Sequence, residues 1–191
     1  MNVNDIKAEF KTKAAVIKRE GIKDLMEWLE STDFFTAPAS TRFHGAFEGG
    51  LAMHSLNVYR RFKDLNEFYD MDGAGCSRES EAIVALFHDL CKVGCYKVSS
   101  RNVKNDKTGQ WEKVPFYKFE EDFPFGGHGS KSVYLVQHFM KLEPDEAAAI
   151  NCQMGPWDRQ DYGKPSEVFE HNRLAWMLHV ADEAATYIDK T

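Results

Sequence analysis

The sequence predicts a mainly α-helical protein carrying one small β-hairpin, at about residues 95–119. Three features predict it. Side chains with apolar character recur at three- and four-residue steps through most of the chain, the spacing of one helical face. Glycine and proline punctuate those runs where helices should stop or start. A single stretch, after Gly94, alternates apolar and polar residues with the two-residue period of a strand.

Taken in order, residues 5–31 read as a helix broken at Gly21, with six bases balanced by six acids, so that one face packs and the other is solvated. Residues 32–50 read as a loop containing Pro38 and Gly49-Gly50. A helix then places Leu51, His54, Val58, Phe62, Leu65 and Tyr69 on one stripe, and Asp72-Gly73-Ala74-Gly75 ends it. The next helix runs from about Glu79 to Lys92, with Ile83, Leu86, Phe87 and Leu90 inward, and Gly94 stops it. In the hairpin, Tyr96 and Val98 alternate with Lys97 and Ser99. Asn105-Asp106-Lys107-Thr108-Gly109 has turn composition, and an aromatic-rich strand follows from Trp111. After the loop at Phe123-Pro124-Phe125-Gly126-Gly127, a helix is predicted from about His128 to Leu142. Pro144 suits the first turn of another, which stops near Gly155-Pro156. The last helix is predicted from about Phe169 to Asp189, with Leu174, Leu178, Ala181 and Ala185 on its inner side.

Composition narrows the class. With 191 residues, 43% hydrophobic and 28% charged, the chain can bury a core as one domain and is not disordered. A mean hydropathy of −0.50 and no run of 18 apolar residues predict no membrane span. Met1 to Glu9 is charged and lacks the apolar centre of a signal peptide. Cys76, Cys91, Cys95 and Cys152 make no disulfide scaffold, so a reducing, cytoplasmic setting is expected. No phosphate-cradling glycine loop and no nucleophile elbow occur, which excludes ATP-driven chemistry and serine hydrolysis. The net charge of −6 argues against a general grip on long nucleic acid. Between Lys92 and Lys118, however, seven bases stand against two acids. A polyanion could meet this patch; on charge alone the simpler reading is a hairpin whose lysines keep its edges soluble.

The chemistry lies in polar residues on helices predicted to be core. His54 sits in an apolar stripe, His88-Asp89 follows Ala82-Ile83-Val84-Ala85-Leu86-Phe87, and Asp182 follows Leu178-His179-Val180-Ala181. An unpaired buried carboxylate costs several kcal/mol. Singly, each has a plain explanation: His54 as a satisfied core histidine, Asp89 paired with Lys92, Asp182 with Arg173 or His179. Together they suit a divalent cation, which accepts imidazole nitrogen and carboxylate oxygen in one site. The mixed N/O set admits Mn²⁺, Fe²⁺, Co²⁺, Ni²⁺, Zn²⁺ or Mg²⁺.

The order His54, His88-Asp89, Asp182 resembles the H…HD…D pattern of the HD-domain metal-dependent phosphohydrolases. Gly49-Gly50-Leu51-Ala52-Met53-His54-Ser55-Leu56 is similar to that superfamily's first-histidine helix. His88-Asp89-Leu90-Cys91-Lys92-Val93-Gly94 is similar to its HD-x-x-K-x-G segment, and His179-Val180-Ala181-Asp182 to its terminal aspartate helix. The wording is similar to that of small bacterial and phage HD proteins and of the HD half of a bacterial 3′–5′ exoribonuclease. The resemblance covers roughly residues 42–188. It implies an HD-domain helical bundle, with residues 1–191 as one domain and residues 1–31 as an N-terminal helical extension.

The resemblance further implies that His54, His88, Asp89 and Asp182 hold one metal, and that Asp89 belongs with the catalytic residues. His128 matches the first of two histidines that hold a second metal in many relatives. Gln153 stands where similar sequences carry the other, and glutamine is a poor ligand, so one tight ion is expected and any second ion weak. Metal-activated water would attack a phosphoester, and nearby cations would neutralise the developing charge. Lys92, by resemblance, and Lys131, on the face of His128, are candidate phosphate contacts; exposed helix charges are the plain alternative. His128 could orient water or protonate the leaving group. His44, Gln153, Trp157 and Asp158 are the remaining candidates for touching substrate. Cys91 and Cys95 read as core thiols. The expected function is hydrolysis of nucleotides, as phosphomonoester or phosphoanhydride. The alternatives are a phosphodiesterase on short nucleic-acid ends or on cyclic nucleotides or dinucleotides, and a nucleotide-binding HD module with little turnover.

Overall fold

Val3–Ala14 form α1, opened by the Asn2 side chain, which accepts the Asp5 backbone N–H at 3.0 Å. The structure, a computed structural model, describes residues 2–70, 75–121, 126–155 and 164–189. Within these, α2 is Ile22–Ser31, α3 Gly50–Asp70, α4 Arg78–Phe87, α5 His128–Gln137, α6 Pro144–Cys152, α7 Lys164–His171 and α8 Arg173–Ala184. The predicted break at Gly21 is present: its φ of 87° favours glycine, and a Cβ there would lie 1.9 Å from the Phe139 carbonyl oxygen.

Helices α3, α4, α6 and α8 pack on one another, and α5 lies against α6. The apolar stripes meet in one continuous cluster that includes Ile6 and Phe10 of α1, Leu25 and Leu29 of α2, Leu56 of α3, Ile83 and Leu86 of α4, Ile150 of α6 and Leu178 of α8. Burying each such side chain contributes about 1.5–3 kcal/mol. The N-terminal helices therefore share one core with α3, α4, α6 and α8. Phe10 makes edge contacts with Phe34 and Phe35 and lies 6.1 Å from Phe87, which pins the residue just before His88.

The hairpin is as expected. β1 (Tyr96–Lys104) pairs antiparallel with β2 (Trp111–Phe119), from Tyr96↔Phe119 at its base to Lys104↔Trp111 at its tip. Asn105 builds the turn: its side-chain oxygen accepts from Lys107 and Thr108 backbone N–H at 2.9 and 3.2 Å.

Three predicted helices differ in extent. The helix expected to reach Lys92 ends at Phe87 and gives way to a 3₁₀ turn at Leu90–Lys92. The one expected to reach Leu142 ends at Gln137, with His138 to Met140 in a turn. The last divides at Asn172, whose side chain caps α8, and its final residues, Ala185–Asp189, form a π-helical segment. No helix among the described residues is long and apolar enough to cross a membrane.

Candidate metal centre

His54 lies in the second turn of α3, buried against the core. That helix starts tight against the preceding loop: a Cβ on Gly50 would sit 1.9 Å from the Gly45 carbonyl oxygen, so only glycine fits. His88 and Asp89 occupy the end of α4, and two tertiary hydrogen bonds explain why the helix stops there. In a continuing α-helix the His88 carbonyl would accept the Lys92 N–H and the Cys91 N–H would seek the Phe87 carbonyl. Instead the Gln153 amide donates to the His88 carbonyl at 3.0 Å, and Cys91 N–H donates to Ser132 Oγ of α5 at 3.1 Å. The helix opens, and His88-Asp89 is turned toward α3 and α8.

Asp182, on α8, completes the group. His54 Nε2 lies 3.6 Å from Asp89 Oδ2 and 3.0 Å from Asp182 Oδ1. His88 Nε2 lies 3.4 Å from Asp89 Oδ2 and 3.9 Å from Asp182 Oδ1. One ligand atom from each of His54, His88 and Asp89 falls within 4.8 Å of the others. Asp182 thus turns to the histidines, while Arg173 stacks over Tyr69 and His179 meets the Gln153 carbonyl at 2.7 Å.

The donor chemistry fits a divalent cation. His88 Nδ1 stands 2.9 Å from the Ala85 carbonyl; donating its hydrogen there leaves the Nε2 lone pair facing Asp89. That buried Nε2 has no hydrogen-bond partner among the described residues. A lone pair held against a carboxylate oxygen wants a cation between them. The charges agree: burial opposes the ionised form of Asp89, but Lys92 and the histidines hold its carboxyl well below the usual range. Burial opposes ionisation of Asp182 also, and His54 outweighs it, so this carboxyl too is held down.

Other expected residues fall into groups. Lys92 Nζ contacts Asp89 Oδ2 at 2.6 Å, the pairing that is the plain expectation for Asp89. A cleft of about 260 Å³ opens over the centre, lined by His44, Asp89, Lys92, His128, Asp182 and Tyr187 among others. The His44 ring lies tilted against that of His54 with centroids 4.7 Å apart, and burial, then the neighbouring His54 and Lys92 charges, push its pKa down to about 4. It is neutral at pH 7. His128 opens α5; a Cβ on Gly129 would fall 2.2 Å from the Asn151 carbonyl oxygen, so that glycine lets α5 seat on α6. One His128 nitrogen lies 3.5 Å from the buried Cys91 thiol, whose pKa burial pushes up to about 12.

Two expected residues lie outside the cleft lining. Gln153 is fully buried, bonded to the His88 backbone, and absent from the cleft lining. Lys131 is held by Glu121 at 2.9 Å, beside Cys95 Sγ at 3.5 Å, and is absent from the cleft lining. Trp157 and Asp158 lie outside the described residues. Sequence reasoning missed Ser132, Glu183, Thr186 and Tyr187. Thr186 and Tyr187 were findable: they fall four and five residues after Asp182, about one helical turn on. Ser132 carried no signal, since its role is a single bond to a distant backbone.

Residues 51–187 match the model of the HD domain family, which is well over half of the chain, and the chain belongs to that family. Its members are generally metal-dependent hydrolases. No curated protein and no solved structure matches the chain.

Proposed function

We propose that this chain is a divalent-metal-dependent phosphohydrolase acting on nucleotides. The observation that carries the reading is the convergence of His54, His88 and Asp89, with Asp182 beside them, under a cleft that also holds Lys92 and His128. These four side chains hold the ion. When bound, it supplies a water whose pKa falls from about 15.7 toward about 7 and a positive charge for phosphate oxygens. Lys92 stabilises the ionised Asp89 and adds cationic field at the cleft. Exposed His128 stands at the rim, positioned to pass a proton to a leaving group. Neutral His44 lines the cleft wall. Beside the cleft, sharing His44, Thr186 and Tyr187 with it, lies a hollow of about 470 Å³ completed by Phe43. Its aromatic walls suit a nucleobase next to a phosphate at the metal.

The test is phosphate release from a panel of nucleotides by protein reconstituted with Mn²⁺, Co²⁺, Ni²⁺ or Mg²⁺. Asp89→Asn should abolish turnover and most metal binding. Tight nucleotide binding without turnover in any metal would overturn the enzyme reading in favour of a binding module. A second reading, phosphodiesterase action on short nucleic-acid ends, is favoured by the basic hairpin whose Phe119 lies 6.4 Å, ring to ring, from His128.

A further inference from the structure

The hairpin leaves both faces and both edges largely open, and two strands alone are marginally stable in water. Yet it displays large apolar side chains: Val98 is 74% exposed and Trp111 70%. The strand register sorts its residues into two faces. One carries Tyr96, Val98, Ser100, Asn102 and Lys104 from β1, and Trp111, Lys113, Pro115, Tyr117 and Phe119 from β2. That face has four aromatic rings, two lysines and no acid. Neither Lys104 nor Lys113 is ion-paired among the described residues. The other face holds the hairpin strands' one acid, Glu112, and its Arg101 is stacked over Phe116.

The base of the aromatic face lies beside the cleft, where Phe119 neighbours His128. Tyr96 and Phe119 pack together at its base, with ring centroids 5.5 Å apart, and Phe119 reaches toward His128. The Tyr96 hydroxyl donates to the Ala39 carbonyl at 3.0 Å, which ties the base of the ribbon to the loop before α3. From there the stripe runs through Tyr117 to Trp111, Lys113 and Lys104 at the tip. Nine residues per strand give a platform roughly 30 Å long.

We propose that this face binds a single strand of nucleic acid, stacking its bases on the rings and pairing its phosphates with Lys104 and Lys113, so that one end enters the cleft. The inference rests on the second reading above. Rings supply stacking that tolerates any base, and spaced lysines follow a phosphate backbone. A surface that is acidic overall but locally basic along a path into a phosphoester site selects an anionic chain over an apolar partner.

The experiment measures fluorescence anisotropy of phosphorothioate 12-mers of thymidine and of uridine titrated with the full chain, since these linkages resist cleavage. Trp111→Ala should weaken binding about tenfold, and Trp111→Phe should restore most of it. Lys104→Ala with Lys113→Ala should weaken it similarly and reduce the steepness of log affinity against log salt by about 1.4. Arg101→Ala, on the opposite face, should change affinity less than twofold. No binding by wild-type protein, or equal losses from both faces, overturns the proposal. So does a wild-type dimer that Trp111→Ala dissociates without any oligonucleotide effect, which assigns the face to a second copy. Hydrolysis of bis(p-nitrophenyl) phosphate by wild-type protein tests the cleft separately. Binding without that hydrolysis retains the platform and removes the catalytic reading; hydrolysis without binding does the reverse.

Discussion

One hydrogen bond from the Gln153 side chain shapes the whole centre. Its amide takes the His88 carbonyl that an unbroken helix would use for itself. Gln153→Ala should therefore cost about 1–3 kcal/mol, since it leaves a buried carbonyl unpaired. It should also lower metal affinity about 10- to 100-fold, as loss of an orienting group behind a ligand does. Denaturant unfolding and metal titration read the two effects apart. Wild-type affinity in the variant would show that the His88-Asp89 turn holds without it. The sequence flagged Gln153 as a departure from the pattern of similar chains, but its spacing gave no sign that the side chain faces backbone.

Elements set which residues can meet. α8 brings Asp182 to the histidines of α3 and α4, and its start depends on Asn172. That side chain accepts the Ala175 N–H at 3.1 Å and donates to the Asp145 carbonyl at 2.9 Å, joining α8 to α6. Asn172→Ala should cost about 1 kcal/mol, or roughly 2–4 °C in Tm for a chain of this size. Calorimetry checks this; an unchanged Tm would mean the cap contributes nothing. The break at Asn172 was legible in principle, because asparagine is a strong helix opener. The continuous apolar periodicity on either side of it concealed the break. The end of α4 was not legible, since Phe87 to Lys92 has ordinary helical composition and its competitors for hydrogen bonds lie 41 and 65 residues away.

At the scale of the molecule, the N-terminal segment is tied to α4 and α6 by charge as well as by core packing. Arg19 forms an ion pair with Glu146 of α6 and lies 3.6 Å from Glu79 of α4. Glu146 is only 1% exposed, and its carboxylate also accepts the Glu143 N–H at 2.8 Å in the capping box of α6. Arg19→Ala strands that buried charge and should destabilise the protein by about 3–5 kcal/mol. Urea unfolding measures it; a loss under 1 kcal/mol would show that water reaches Glu146. Metal binding should act on the same scale. An ion at a hundred times its Kd stabilises the native state by about 2.7 kcal/mol, so a chelator should lower Tm by several degrees. An unchanged Tm on both addition and removal would count against a metal centre.

By itself the sequence determined the helical class, the hairpin and its turn, and the four polar residues set among apolar ones. Those are matters of local periodicity and of which side chains cannot be buried alone. Tertiary structure decided where α4 ends, that Asp182 faces His54 and not Arg173, and that Gln153 supports the centre from beneath. Each of these is a contest between a local bond and a partner far away in the chain. Periodicity records only the local contestant; the distant one exists once the helices have packed.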